Sequence, residues 1–179
     1  MVIRSEDRPR HGFETQKYVY FAHGKESGPW GSKILALAET AKRHGYQVES
    51  PDYSDITDPD KRVERLLNLC STGGADILVG SSMGGYVAAV ASSVIKPRGL
   101  FLMAPAFYIP GYGLQEPQPA AGKTVITHGW NDEVVPVEHS IRFAGTYRSQ
   151  LHLLDSDHRL SDMTGILCSL FDLFLDDID

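Results

Sequence analysis

The chain has 179 residues, enough for one domain with a substantial core and too few for two ordinary ones. Its 42% hydrophobic and 22% charged residues are those of a folded protein, which excludes a disordered chain. The net charge of −6 offers no basic footprint for nucleic acid or anionic lipid, and no apolar run approaches the ~18 residues that span a bilayer.

Residues 1–16 carry Arg4, Glu6, Asp7, Arg8 and Arg10 around Pro9 and lack the apolar stretch of a secretory signal. They read as a flexible arm ahead of a single domain over 17–179, and a cytoplasmic location is expected. Tyr18–Phe21 is the first short apolar run. Ser32 then caps a helix with Ile34, Leu35, Leu37, Ala38 and Ala41 on one side. That helix ends at Lys42-Arg43-His44-Gly45, where cations meet the negative end of the dipole and glycine permits a left-handed cap. Gln47–Ser50 is the second run. Asp58-Pro59 opens a helix in which Val63, Leu66, Leu67 and Cys70 recur at helical spacing.

Ile77–Gly80 is the third run, and Tyr86 to Ala91 forms a helix behind it. Gly99–Ala104 is the fourth. The stretch from Ala104 to Ala121, rich in proline and glycine, suits a flap or a plain connector equally well. Thr124–Thr127 is the fifth run, Pro136 opens another helix, and Gln150–Leu154 is the sixth run. After Ser161, Met163, Ile166, Leu167, Leu170, Phe171 and Phe174 form a core stripe on the last helix. Cys70 and Cys168 both fall in apolar helical patterns without a metal-ligand neighbour, which predicts two buried free thiols.

Short, nearly continuous apolar strands alternating with helices predict an α/β fold: a six-stranded, mostly parallel sheet in a three-layer sandwich. In such sheets sites form at the carboxyl ends of the strands. The loops after Phe21, Gly80, Ala104, Thr127 and Leu154 should therefore surround any site.

Gly80-Ser81-Ser82-Met83-Gly84 fits G-x-S-x-G around Ser82, between a strand and a helix. A nucleophile on so sharp a turn sits in strained backbone, and side chains two residues to either side would collide with the neighbouring strand or helix. A glycine-rich turn serving only helix packing is the alternative. A serine hydroxyl needs a base, and histidine has the suitable chemistry. Of seven histidines, His158 in Asp155-Ser156-Asp157-His158 follows the last strand and precedes the last helix. His128 also ends a strand, but its turn serves the residues after it. Asp132, in Trp130-Asn131-Asp132-Glu133, is the candidate to fix the tautomer of that base. Glu133, Asp155 and Asp157 are rivals, and an Asx turn is the structural alternative.

An oxyanion hole needs backbone donors. The N–H of Met83 is one candidate. The N–H of Lys25, in His23-Gly24-Lys25 after the first strand, is the other, with His23 bracing the loop. Tyr86, Phe107, Tyr108 and Trp130 are candidates to line the acyl side of a substrate.

Together these segments resemble the α/β-hydrolase superfamily, and within it the compact bacterial members related to YqiA-type esterases and retinoblastoma-binding serine hydrolases. The resemblance covers the chain from Tyr18 onward. It implies a minimal sheet of order 2-1-3-4-5-6, with the nucleophile after the third strand, and a Ser82-Asp132-His158 triad; the chain departs from its relatives in leaving no room for a cap domain. The expected activity is hydrolysis of a carboxylic ester or thioester through an acyl-serine, on a small-molecule acyl substrate, with no metal or cofactor. The expected assembly is a monomer or small homo-oligomer. A peptidase, an acyltransferase and a non-catalytic binding protein on the same scaffold are the competing readings.

Overall fold

A computed structural model describes residues 16–71 and 74–178, so all of the expected arm except Gln16 lies outside the described residues. Six strands run in chain order: β1 (Tyr18–Ala22), β2 (Gln47–Glu49), β3 (Ile77–Ser81), β4 (Gly99–Met103), β5 (Lys123–Gly129) and β6 (Gln150–Leu154). They form one sheet of order β2-β1-β3-β4-β5-β6, and every neighbouring pair is parallel. The sheet is thus wholly rather than mostly parallel.

Alternation along the strands assigns the two faces. Val19, Phe21, Ile77, Val79, Phe101, Met103 and Val125 point to one side. There they pack on α1 (Ser32–Arg43) and α5 (Thr164–Asp176) through Leu37, Ala38, Leu167, Phe171 and Phe174. Ala22, Leu78, Leu100, Leu102 and Ile126 point to the other. They meet α2 (Pro59–Cys70), α3 (Met83–Ile95) and α4 (Val137–Tyr147) through Leu66, Val87, Ala88 and Phe143.

Several local expectations change. Ser32 is the first residue of α1 and Gly31 takes the cap position without a side-chain bond, whereas Asp58 does cap α2, accepting from the Asp60 and Lys61 N–H groups. Leu35 and Ile166 face solvent at the margins of their stripes. Cys70 is buried, but Cys168 is only half-buried; both are free thiols. The strand–helix alternation breaks between β4 and β5, where the connection has no helix. That stretch is stitched down instead: Asp60 on α2 accepts from the Gly113 N–H at 2.9 Å and from the Tyr86 hydroxyl at 2.6 Å. The Leu114 N–H donates to the Tyr86 oxygen, and the Ala120 N–H to Ser92 Oγ on α3. An anchored connector fits these bonds better than a flap. Among the described residues, no helix is long and apolar enough to cross a membrane.

Candidate active site

β3 delivers Ser82 to the sheet's carboxyl edge, and α3 begins one residue later. Ser82 has φ 54° and ψ −119°, a left-handed conformation that a side chain rarely adopts. Its backbone is clamped on both sides. The Ser82 N–H donates to the Met103 carbonyl at 3.0 Å, and the Ser82 carbonyl accepts from the Ala106 N–H at 3.0 Å. The flanking glycines are required by close approach: a Cβ on Gly84 would overlap the Ala22 carbonyl, and one on Gly80 would overlap the Gly84 carbonyl. Met83, as the first residue of α3, has an N–H with no partner inside the helix.

β5 and β6 bring the other two groups. The Trp130 N–H donates to the Leu154 carbonyl and the Asn131 N–H to the Ser156 carbonyl, which zips the two loops together. A Cβ on Gly129 would overlap the Ser156 carbonyl. His158 Nε2 lies 3.0 Å from Ser82 Oγ, and its Nδ1 lies 2.7 Å from Asp132 Oδ2. Serine, imidazole and carboxylate thus form one continuous line.

The Asp132 side chain is fully buried. Oδ1 accepts from the Val134 and Val135 N–H groups, each at 2.8 Å, so the Asx turn and the contact to His158 coexist. Burial works to raise the carboxyl's pKa, but the Val135 N–H, His158 and the Val134 N–H together hold it below the usual aspartate range.

A second imidazole meets the same carboxylate: His128 Nε2 lies 2.9 Å from Asp132 Oδ2 and 3.0 Å from the Val135 carbonyl. Both neighbours are acceptors, so Nε2 carries the proton and Nδ1 accepts from the Ser140 hydroxyl at 2.7 Å. Burial lowers the pKa of His128 and keeps it neutral. From sequence, His128 reads as a strand-end residue whose turn serves the residues after it, so its contact with Asp132 is not evident there. β5 runs to Gly129, and His128 lies on the same face as Ile126, toward Ser140 of α4.

On the opposite flank, Gly24 packs against Ser82; a Cβ there would lie 3.5 Å from the Ser82 Cβ. His23 is fully buried and its pKa is lowered by that burial. Its Nδ1–H donates to the Gly24 carbonyl at 2.8 Å, while Nε2 accepts from the Tyr53 N–H at 2.9 Å. Arg62, hidden among the apolar positions of α2, is also buried here. Sequence gave no signal for it beyond a cation beside a core stripe.

The four residues expected on the acyl side separate. Tyr86 and Phe107 are fully buried: Tyr86 is bonded to Asp60, and Phe107 stacks on Phe143 with centroids 4.1 Å apart. Tyr108 is half-buried under the Arg142 guanidinium, and Trp130 is 55% exposed. Lys25 is exposed. Among the described residues, no group of three or more His, Cys, Asp or Glu side chains is arranged to hold a metal ion.

Similarity to known proteins agrees with this architecture. Residues 17–112, from β1 through the loop after β4, match the uncharacterised protein family UPF0227. A protein from Xanthomonas campestris pv. campestris, assigned to the α/β superfamily of hydrolases, is 35% identical. Its structure superposes with a TM-score of 0.84, covering 90% of this chain and 98% of that one. Est1E from Butyrivibrio proteoclasticus shares the fold at 18% identity, with a TM-score of 0.78 over 94% of this chain and 90% of its own. Mouse α/β hydrolase domain-containing protein 10 shares it at 21% identity, with a TM-score of 0.73 over 90% of each chain. None of the curated proteins matches the chain. A strained serine at the edge of a 2-1-3-4-5-6 sheet and the matched span thus lead to one conclusion: the chain belongs to the UPF0227 family and has the α/β-hydrolase fold.

Proposed function

We propose that the protein is a serine hydrolase that cleaves a carboxylic ester or thioester through an acyl intermediate on Ser82. The observation that carries this reading is the unbroken line from Ser82 Oγ through His158 to Asp132, with contacts of 3.0 and 2.7 Å. In the acylation step His158 Nε2 takes the hydroxyl proton as Oγ bonds to the acyl carbon. Asp132 holds the Nδ1–H tautomer and stabilises the imidazolium that forms. The carbonyl oxygen, now negative, accepts from the N–H groups of Met83 and Lys25. His158 then gives its proton to the leaving alcohol or thiol, and water repeats the sequence to release the acid and free Ser82. The neighbours that carry hydrolase or esterase names support a hydrolase function.

Trp130 and Tyr108, the two rings of the expected set with exposed surface, are the better candidates to touch the acyl group. Hydrolysis of p-nitrophenyl esters of graded length, beside thioesters and amides, tests the proposal. Ester or thioester turnover that disappears in Ser82→Ala is expected. Turnover confined to amides would favour a peptidase, and none in any class would favour a binding protein.

A further inference from the structure

Arg62 is 2% exposed, and among the described residues no carboxylate forms an ion pair with it. Burying a guanidinium without a counter-ion is strongly unfavourable unless its N–H groups find other acceptors. The acceptors here are backbone carbonyls. Nε donates to Ile56 at 2.7 Å, and Nη1 donates to His23 at 3.2 Å and to Gly24 at 3.3 Å. The Gly24 carbonyl also receives the His23 Nδ1–H, so one peptide oxygen is gripped twice from behind.

That oxygen belongs to the Gly24–Lys25 peptide unit. In a trans peptide the carbonyl and the following N–H point in opposite directions, so fixing the oxygen fixes the N–H of Lys25 away from Arg62. A permanent cation at the oxygen end also polarises the unit and strengthens its N–H as a donor. Gly24 also packs on Ser82, since a Cβ there would lie 3.5 Å from the Ser82 Cβ.

We infer that Arg62 is a positioning residue for the oxyanion hole, holding the Gly24–Lys25 peptide so that its N–H faces the developing negative oxygen. The inference rests on the acyl-serine reading above. Arg62 touches neither substrate nor the reacting atoms; it acts through the peptide it grips. A purely structural Arg62 would change stability and leave transition-state binding alone.

The test compares full-length wild type with Arg62→Met and Arg62→Lys, each checked for folding by circular dichroism. It measures kcat and KM on a p-nitrophenyl ester, affinity for a boronic acid that mimics the tetrahedral intermediate, and the rate of Ser82 modification by a fluorophosphonate. For Arg62→Met the expected result is a kcat lower by about 10–100-fold with little change in KM. Boronate affinity should fall by a similar factor. Arg62→Lys, which keeps the cation but loses the fork, should lose about 3–10-fold. Should the methionine variant not fold, the lysine variant carries the same readouts. A folded variant with wild-type kcat, or one whose kcat falls while boronate affinity does not, overturns the inference alone. Wild type that is not modified at Ser82 overturns the acyl-serine reading and this inference with it.

Discussion

On one flank of Ser82 a buried carboxylate collects donors; on the other a buried guanidinium collects acceptors. Asp132 receives two backbone N–H groups and two imidazoles, whereas Arg62 gives to three backbone carbonyls. Each charge is satisfied before it reaches the serine, and each is relayed by one intermediary, the His158 ring on one side and the Gly24–Lys25 peptide on the other. The intermediaries differ in kind. An imidazole can move a proton, while a peptide can only hold a dipole still. In the proposed reaction, negative charge therefore backs the group that becomes positive, and positive charge backs the donor proposed to face the oxygen that becomes negative.

Removing the charge on the carboxylate side should have the largest effect. Asp132→Asn keeps the shape but loses the tautomer control, and kcat should fall by about 10⁴-fold in steady-state assays. A loss under about tenfold would mean that another carboxylate orients His158. Loss of the Arg62 fork should cost less, as set out above, because the peptide can still reach its place part of the time.

His128 sharpens the same comparison, since it braces Asp132 without facing the serine. His128→Asn should lower kcat by about tenfold, equivalent to ~1.4 kcal/mol. It should also change the acid limb of stability. His23 and His128 both have pKa values depressed by burial, so the folded protein resists protons that the unfolded chain accepts below pH ~6.5. Stability is therefore full above that pH and falls as pH drops, by at most ~1.4 kcal/mol per pH unit for each histidine. Asp132, also depressed, adds a further loss below pH ~4. Thermal unfolding between pH 7.5 and 5 should show a shallower slope for His128→Asn than for wild type; equal slopes would remove His128 from the account.

The smallest effect is expected where a partly buried polar cluster lies off both flanks. Tyr86→Phe removes the hydroxyl that ties Asp60 and Leu114 together. It should cost about 1 kcal/mol in urea unfolding. A loss in kcat larger than the loss from His128→Asn would break the distinction between the flanks and the connector.

Much of this was legible in the sequence, for identifiable reasons. The strands are buried on both faces and read as apolar runs, and the G-x-S-x-G spacing reports a collision among Ala22, Gly80 and Gly84 that only glycine avoids. Ser82, Asp132 and His158, which the structure brings within hydrogen-bond reach of one another, stand out in the sequence because each follows a strand closely. What sequence did not reveal depends on depth and direction. Tyr86 and Phe107 lie near the nucleophile in sequence or in loop order, yet both rings turn into the core. Arg62 reads as one more helical cation, because nothing local says that its side chain runs inward to the carbonyls of another loop. His128 reads as a strand-end residue, and nothing local says that its ring reaches Asp132. The depth and direction of each side chain, rather than motif, carry that information.

The most direct test is to treat the full chain with a fluorophosphonate and locate the adduct by peptide mass spectrometry. The account predicts one modification, on Ser82, that is lost in Ser82→Ala and strongly slowed in His158→Ala. An adduct on Ser81 or elsewhere, or a rate on Ser82 unchanged without His158, would contradict it.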